Sequence, residues 1–459
     1  MALSLDKKEI LAFAEKEKRA YEETLKQFVD VPTVSAQPEH RKDIARGVEL
    51  AVETIRRFGG KAEVLATAGF PIVHGVFDQG KNLPTVTVYN HIDVQPASRE
   101  SEPWDTEPFT MTVENDRYLG RGTTDDKGPA LSALFGIRSA REAGIEANLR
   151  VLWEFEEEIG SPNFADAIRS AGSKLSTDSV IVSDTIWVSR SRPACPAGLR
   201  GLQGFSLTLE TGTTDTHSGT TGGAARNPIG ELMQLVSEMY DAKTGKVKMP
   251  GFYDDVKAPS KKEIADFSNS GFSISNFKKD HRFKSIRTSD PVDAMKRLWA
   301  MPTLEVHGVV GGYTGAGIKT IIPPRAEVKL SCRLVANQNP YKILKLIRAF
   351  VKSRNKDVSV VPEGSMSPYQ APTEGPFAEA VKRSMKFAFG RDPVFVREGG
   401  SIGAVVSMEK ILDCPVLFLG LSLPEHGYHA PNENFDWQQA SGGMVAFTHY
   451  FGEIAAMDR

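Results

Sequence analysis

Several residues able to bind a metal or move a proton follow short apolar stretches of the chain. His91 and Asp93 come after one such stretch, and Asp125 and Asp126 are neighbours in a glycine-bounded turn. Residues two apart on an extended backbone project to the same side, so His91 could bind a metal while Asp93 orients the imidazole. Each motif alone is also typical of a surface loop, or of a helix N-cap followed by a first-turn acid.

Three further places supply acids or imidazoles. One apolar run ends in Glu156, Glu157 and Glu158, whose like charges repel unless they are solvated or neutralised by a cation. Asp184 follows another β-rich run, and the loop at 425–433 contains two histidines. Imidazole and carboxylate without thiolate is the ligand set expected for hydrolytic zinc, or for cobalt or manganese in its place. The sequence therefore indicates a metal site.

The surrounding pattern predicts elements that could position these side chains. Strands are predicted at Ile72–Val76, Thr85–Tyr89, Leu149–Phe155 and Ser179–Ser183, with a helix from Gly128 to Ala143. Strands that alternate with helices favour an α/β layer with a mostly parallel sheet. Ligands of open α/β sheets bind beyond the carboxyl ends of the strands, which is where the candidate residues lie.

The sequence pattern changes at 193–198, a stretch with proline and glycine that we interpret as a break between domains. Residues 200–370 carry a separate set of predicted strands and helices, in which 246–290 is expected to be a surface excursion. A chain of 459 residues exceeds the roughly 300 at which one hydrophobic core stops growing. We predict a discontinuous catalytic domain, 1–199 and 371–459, interrupted by a smaller α+β domain at 200–370.

Composition narrows the classes of function. The net charge of -2 arises from 56 basic and 58 acidic residues mixed along the chain, so no large basic field attracts nucleic acid or an anionic membrane. No run of about 18 apolar residues occurs, and the charged N-terminal segment is unlike a signal peptide. Cys195, Cys332 and Cys414 are widely spaced, as is typical of reduced thiols. We expect a cytoplasmic protein with no nucleic-acid or membrane partner.

Together these motifs resemble the M20 metallopeptidase family, in order from about Tyr21 to Phe451. The resemblance implies an α/β, zinc-peptidase-like catalytic domain with a central, mostly parallel sheet, and an inserted α+β domain that serves as lid and dimerisation domain. It also implies two divalent metal ions per chain, zinc or in its place manganese or cobalt. The implied ligands are His91, Asp125, Glu158, Asp184 and His429, with Asp125 shared by both ions and Asp93 supporting His91.

The resemblance assigns further roles. Glu157 is the implied general base, because the family carries a Glu-Glu pair whose first member handles protons, and the run of three glutamates leaves Glu156 as the alternative. The implied substrate contacts are His217, Arg333, Gly400 and Ser401. The guanidinium fork of Arg333 suits a substrate carboxylate. His217 would stabilise the oxyanion, and in this family it often reaches the neighbouring subunit, so a homodimer is expected.

The implied activity is hydrolysis of the peptide bond of a dipeptide or short peptide. The Thr-Thr-Asp-Asp-Lys-Gly-Pro, Arg-Leu-Val-Ala-Asn and Arg-Glu-Gly-Gly-Ser-Ile strings resemble the cytosolic non-specific dipeptidase and carnosinase-like branch of the family. Two alternatives stay open at this stage. An N-acyl amino acid deacylase would use the same metal site with a different pocket, and a catalytically silent homologue would bind metal without turnover.

Overall fold

The computed structural model describes residues 5–457, which contain 18 strands and 13 α-helices. The strands are β1 (Lys61–Leu65), β2 (Ile72–Phe77), β3 (Thr85–His91), β4 (Thr112–Glu114), β5 (Arg117–Leu119), β6 (Asn148–Glu154), β7 (Ser179–Val182), β8 (Ala194–Leu199), β9 (Gly201–Glu210), β10 (Thr216–His217), β11 (Thr303–Val310), β12 (Ile321–Ile322), β13 (Arg325–Leu334), β14 (Ser359–Met366), β15 (Tyr369–Gln370), β16 (Val394–Glu398), β17 (Val416–Phe418) and β18 (Asn434–Asp436).

The helices begin where the sequence provides caps. In both α6 and α10 a proline occupies the first turn, and the preceding Asn227 or Asn339 side chain accepts hydrogen bonds from backbone N–H groups there. The α-helices are α1 (Lys7–Val29), α2 (Arg41–Arg57), α3 (Lys127–Glu142), α4 (Phe164–Ala171), α5 (Ser218–Thr221), α6 (Pro228–Met239), α7 (Lys261–Ser268), α8 (Ile274–Asp280), α9 (Pro291–Met295), α10 (Pro340–Arg354), α11 (Pro376–Phe389), α12 (Gly403–Leu412) and α13 (Trp437–Ala455).

A six-stranded sheet forms the centre of one part of the molecule, with strand order β1-β2-β6-β3-β7-β17. Strands β6, β3, β7 and β17 run parallel, whereas β1 and β2 add an antiparallel edge, so the predicted mostly parallel α/β sheet is confirmed. In the parallel register His91 lies opposite Glu154, and Tyr89 opposite Val182. The carboxyl ends of β3, β6 and β7 therefore meet at one edge of the sheet.

Helices α3 and α13 pack closely together against this sheet. A Cβ on Gly136 of α3 would lie 2.7 Å from Cβ of Phe447, so the small residue permits this separation of the two helices. Phe135 and Phe447 are fully buried in the same apolar cluster as the N-terminal helices α1 and α2. This packing fixes the N-terminus of α3, next to which Asp125 lies.

A four-stranded antiparallel sheet, with order β11-β13-β9-β14, forms a second layer with helices α6 and α10. Its apolar cluster consists only of buried residues between Phe205 and Val358. These features fit a separate α+β unit, and the domain bounds drawn from the sequence stay a prediction. Within residues 5–457, no helix is both long and apolar enough to cross a membrane.

At two places the structure is more regular than the sequence pattern indicated. The stretch at 193–198, interpreted as a break, mostly forms β8, a fully buried strand between β15 and β16. Burial on both faces stabilises this strand despite the low β-propensity of proline and glycine, and Pro196 lies near a register shift of β16. The excursion at 246–290 contains α7 and α8, and its buried Phe267 packs on Trp299.

Candidate metal centre

The structure brings together the side chains of the five predicted metal ligands. They extend from the ends of β3, β6 and β7, from the turn before α3, and from the loop between β17 and β18. The peptide bond between Asp125 and Asp126, in the turn before α3, is cis. Two groups result: His91, Asp125 and Asp184 in one, and Asp125, Glu158 and His429 in the other.

The two groups share Asp125 through different oxygen atoms. His91 Nε2 lies 2.9 Å from Asp125 Oδ1 and 3.7 Å from Asp184 Oδ2. His429 Nε2 lies 2.9 Å from Asp125 Oδ2 and 3.1 Å from Glu158 Oε2. Within each group, one ligand atom per residue lies within 4.8 Å of the others, and imidazole with carboxylate is a donor set that suits zinc and related divalent ions. The residues present therefore fit a two-metal centre with one shared carboxylate.

The electrostatics of the cluster also favour a cation. Burial raises the pKa of Asp184 to about 7, and the neighbouring charges of Asp125 and Glu158 add to this effect. Burial and the charge of Asp125 likewise raise the pKa of Glu158. Hydrogen bonds from His429 and His91 overcome burial at Asp125 and hold the pKa of that carboxyl below its usual range. Several carboxylates thus share a buried space, where a divalent cation would neutralise their repulsion.

Asp93 contacts both the His91 imidazole and the turn that carries Glu157 and Glu158. Its side chain is fully buried, and Oδ1 and Oδ2 accept hydrogen bonds from the backbone N–H groups of Glu157 and Glu158 at 3.2 and 3.1 Å. His91 Nδ1 lies 3.0 Å from the backbone oxygen of Asp93 and 3.6 Å from its Oδ1. Asp93 therefore orients the imidazole and also the turn that carries two glutamates.

The glutamates at 156 and 157 have different surroundings. Glu156 Oε1 accepts a hydrogen bond from Phe70 N at 2.7 Å, and both oxygens accept from the Asn163 amide. The Glu157 carboxylate makes no hydrogen bond within residues 5–457. Burial and the charge of Asp184 raise the pKa of Glu157 well above its usual range, although His91 opposes the shift. Glu157 thus lies beside the ligand groups with a carboxylate that accepts no hydrogen bond from the described residues. The Glu156 carboxylate instead holds neighbouring loops through its hydrogen bonds.

The predicted substrate contacts divide into two sets. Arg333 Nη1 lies 3.3 Å from Ser401 Oγ, and the Ser401 hydroxyl donates to the backbone oxygen of Arg200. The backbone oxygen of Gly400 accepts a hydrogen bond from Arg200 N at 2.9 Å. Arg333, Gly400 and Ser401 are therefore neighbours. His217 is exposed and its Nδ1 accepts from Gly219 N; none of its contacts within the described chain is to a predicted metal ligand.

Several polar residues around the centre were not predicted as site residues. Asn90 Nδ2 donates to Asp126 Oδ2 and Ser183 Oγ, and Gln95 donates to Glu158 through its backbone and side chain. Tyr428 donates to Asp184 Oδ1 at 3.3 Å. Most of these residues adjoin a predicted ligand in sequence, which is the signal that could have identified them.

The fold and the ligand set define the class of metallopeptidases with a two-metal centre. The model of the peptidase family M20/M25/M40 matches residues 87–453, and the chain belongs to this family. It is 32% identical over 480 residues to the Cys-Gly metallodipeptidase dug1 of Schizosaccharomyces pombe, covering 100% of each chain. The human Beta-Ala-His dipeptidase is 28% identical over 459 residues, which cover 95% of this chain and 90% of the human protein.

The solved structures give the same result for the fold. The structure of the di-peptidase Dug1p from Saccharomyces cerevisiae is similar to this chain with a TM-score of 0.85 and 28% identity, covering 100% of both chains. Similarity over the whole length includes both the central sheet and the second, antiparallel sheet. The family predicted from the motifs, and its dipeptidase and carnosinase-like branch, are therefore confirmed.

Proposed function

We propose that this chain hydrolyses the peptide bond of dipeptides in a metal-dependent reaction. The observation that carries the proposal is the pair of ligand groups that share Asp125, one oxygen facing His91 and the other facing His429. Relatives that align over nearly the whole chain are named as dipeptidases, which favours this activity over N-acyl amino acid deacylation and over a silent homologue.

The ligand set supports zinc as the metal, with manganese or cobalt in its place. His91, Asp125 and Asp184 would hold one ion, and Asp125, Glu158 and His429 the other. Two divalent ions in such a centre would lower the pKa of a bound water and polarise the scissile carbonyl. Asp93 keeps the His91 imidazole oriented and holds the backbone of the Glu157–Glu158 turn.

Glu157 is the proposed general base. Its carboxylate has no hydrogen-bond partner in the described chain, and burial raises its pKa, which favours taking a proton and returning it to the leaving amine near neutral pH. Glu156 is the weaker candidate, because its oxygens accept from Phe70 N and the Asn163 amide.

Arg333 is proposed to bind the substrate carboxylate next to Gly400 and Ser401. The contact between Arg333 and Ser401 uses one guanidinium N–H, and the other donors of the fork make no hydrogen bond within residues 5–457, so they can form a bidentate pair. This arrangement fits a carboxylate at the end of a short peptide, and the Gly400–Ser401 loop would position it relative to the metal ligands.

We also propose a cytoplasmic homodimer. His217 is exposed and contacts none of the metal ligands of its own chain within the described residues. It would therefore act in the site of a second copy of the chain. Strand β11 is an open edge of its sheet with exposed Val309 and Val310, and such an edge is a ready surface for another chain. Ile318, in the loop that follows β11, is 93% exposed. The three buried free cysteines suit a reducing compartment.

Elemental analysis of the purified protein, together with amine release from dipeptides and N-acetyl amino acids, tests the proposal. We expect two divalent ions per chain and dipeptide cleavage that a chelator abolishes and added zinc restores. Preferential cleavage of N-acetyl amino acids would replace the proposal with deacylation. Bound metal without turnover on either panel would instead identify a silent homologue.

A further inference from the structure

Glu433 joins the turn before α3 to the loop between β17 and β18, which supply Asp125 and His429 of the second group of metal ligands. It follows His429 by four residues and is fully buried. Its Oε1 accepts three backbone hydrogen bonds from the turn before α3, from Gly122 N at 3.0 Å, Thr124 N at 3.0 Å and Asp125 N at 3.1 Å. One carboxylate oxygen thus holds the turn that carries the shared ligand against the loop that carries His429.

Arg121 completes the contact from the other side. Its Nη1 donates to Glu433 Oε2 at 2.8 Å, and its side chain is 2% exposed. The guanidinium lies over the Trp104 ring at 5.2 Å, and Nη2 lies 3.5 Å from the backbone oxygen of Pro96. A buried charge pair of this kind is costly to break, because the partner that remains is left unpaired. Glu433 and Arg121 thus form a buried charge pair, the Glu433–Arg121 clamp.

The two groups of metal ligands depend unequally on this clamp. His91 and Asp184 lie at the ends of adjacent parallel strands and are almost completely buried. The His429 side chain is 54% exposed and belongs to a loop in which its own φ is 53°. Besides the clamp, the Thr124 hydroxyl contacts Ser422 Oγ at 2.7 Å and His426 Nδ1 at 3.1 Å, and Asn432 accepts from Asp105 N and donates to its carboxylate. Of these ties, only the Glu433 carboxylate binds the backbone of Asp125 itself.

We propose that Glu433 is a positioning residue that sets the affinity of the second ligand group, Asp125, Glu158 and His429, for its metal ion. The inference rests on the proposed two-metal function. Without the Glu433 carboxylate, the three hydrogen bonds that it accepts from the turn at Asp125 would be lost, so His429 and Asp125 would be held less firmly in their mutual position. The first group would be affected less, since the central sheet positions His91 and Asp184, and Asp125 lies only two residues before the start of α3.

The test is zinc titration of the metal-free protein by calorimetry, comparing wild type with Glu433→Gln. In this variant one amide oxygen can accept from the turn, but the amide NH2 then faces the Arg121 guanidinium. We expect one zinc ion to bind with little change in affinity and the other to bind about 10–100-fold more weakly. Dipeptidase activity should fall at limiting zinc and recover toward wild type at excess zinc, which a merely structural defect would not do.

Glu425→Gln is the matched control. Glu425 lies in the same loop but is exposed and pairs with Arg190, so both zinc affinities should remain unchanged. Arg121→Lys is a second variant for the case in which Glu433→Gln does not fold, because it keeps a positive charge and loses only the fork; a smaller weakening of the same single site is expected. Far-UV circular dichroism and thermal midpoints of the metal-free proteins check folding.

Two outcomes separate this inference from the proposed function. Wild-type protein that binds fewer than two zinc ions, or shows no chelator-sensitive dipeptidase activity, would contradict the proposed function before any variant is compared. Wild-type protein that binds two ions, with both affinities unchanged or equally reduced in Glu433→Gln, would overturn only the role of Glu433.

Discussion

Asp93 Oδ1 accepts a hydrogen bond from the backbone N–H of Glu157 at 3.2 Å. The other oxygen of the same carboxylate accepts from Glu158 N at 3.1 Å, and the backbone oxygen of Asp93 lies 3.0 Å from His91 Nδ1. One buried acid therefore links a proposed metal ligand on β3 to the turn after β6, where the proposed base and another ligand lie.

Replacing Asp93 with Asn tests this link. The amide can accept from only one of the two N–H groups, and its NH2 would face the other. We expect dipeptidase activity and zinc affinity to fall about 10–100-fold while the protein remains folded. Asp78→Asn is the control, since Asp78 pairs with Arg150 near the amino end of β6, away from the ligands. Unchanged activity and zinc affinity in Asp93→Asn would remove Asp93 from the site.

Glu157→Gln should lower the turnover number about 10²–10⁴-fold without reducing the metal content, because it removes a proton acceptor and leaves the five proposed ligands in place. The measurements are steady-state kinetics on a cleaved dipeptide and elemental analysis of the same preparation. The neighbouring Glu156→Gln variant should keep most activity and mainly lose stability, since Glu156 accepts from Phe70 N and Asn163. The reverse pattern would move the base to Glu156.

Much of the site was predictable from the sequence because the ligand types stand out locally. His91, the Asp125 turn and Asp184 each follow or adjoin an apolar run, and parallel strands bring such ends to one edge of a sheet. The strand periodicity also indicated the correct positions of β3, β6 and β7.

The remaining features depend on contacts between distant residues. Strand β8 contains proline and glycine and is stabilised by pairing with β16, about 200 residues later, so local propensity misses it. Glu433 contacts Arg121 across more than 300 positions, and a glutamate in a polar loop carries no local sign of burial. His217 is different again, because its proposed role needs a second copy of the chain.

That role predicts complementation between two inactive variants. In a homodimer with shared sites, a Glu157→Gln chain still supplies an intact His217, and a His217→Ala chain still supplies an intact Glu157. Mixing and exchanging subunits should restore about a quarter of wild-type activity, since half of the dimers are mixed and each has one complete site. The check is an activity assay before and after exchange, with size-exclusion chromatography to confirm dimers. No recovery in demonstrably mixed dimers would place His217 outside the partner's site.

A prediction on stability concerns His74 in the antiparallel edge of the central sheet. His74 is 3% exposed, and neither ring nitrogen has a hydrogen-bond partner among residues 5–457. Burial lowers the pKa of His74 to about 4, from 6.5 in the unfolded chain, and the charge of Arg150 adds to the shift. Above pH 6.5 the ring is neutral in both the folded and the unfolded chain, and the full stability is present. As the pH falls from 6.5 toward 4, the unfolded chain binds a proton that the folded chain excludes, so the free energy of unfolding decreases.

Between pH 7 and pH 5 this titration should reduce the free energy of unfolding by about 2 kcal/mol, because the unfolded chain binds a proton that the folded chain excludes. His74→Leu removes the group and keeps an apolar side chain in its place. The difference between wild type and variant, measured by urea unfolding at both pH values, should therefore change by about 2 kcal/mol in favour of the variant at pH 5. Parallel pH dependence in the two proteins would show that His74 is protonated without cost in the folded state.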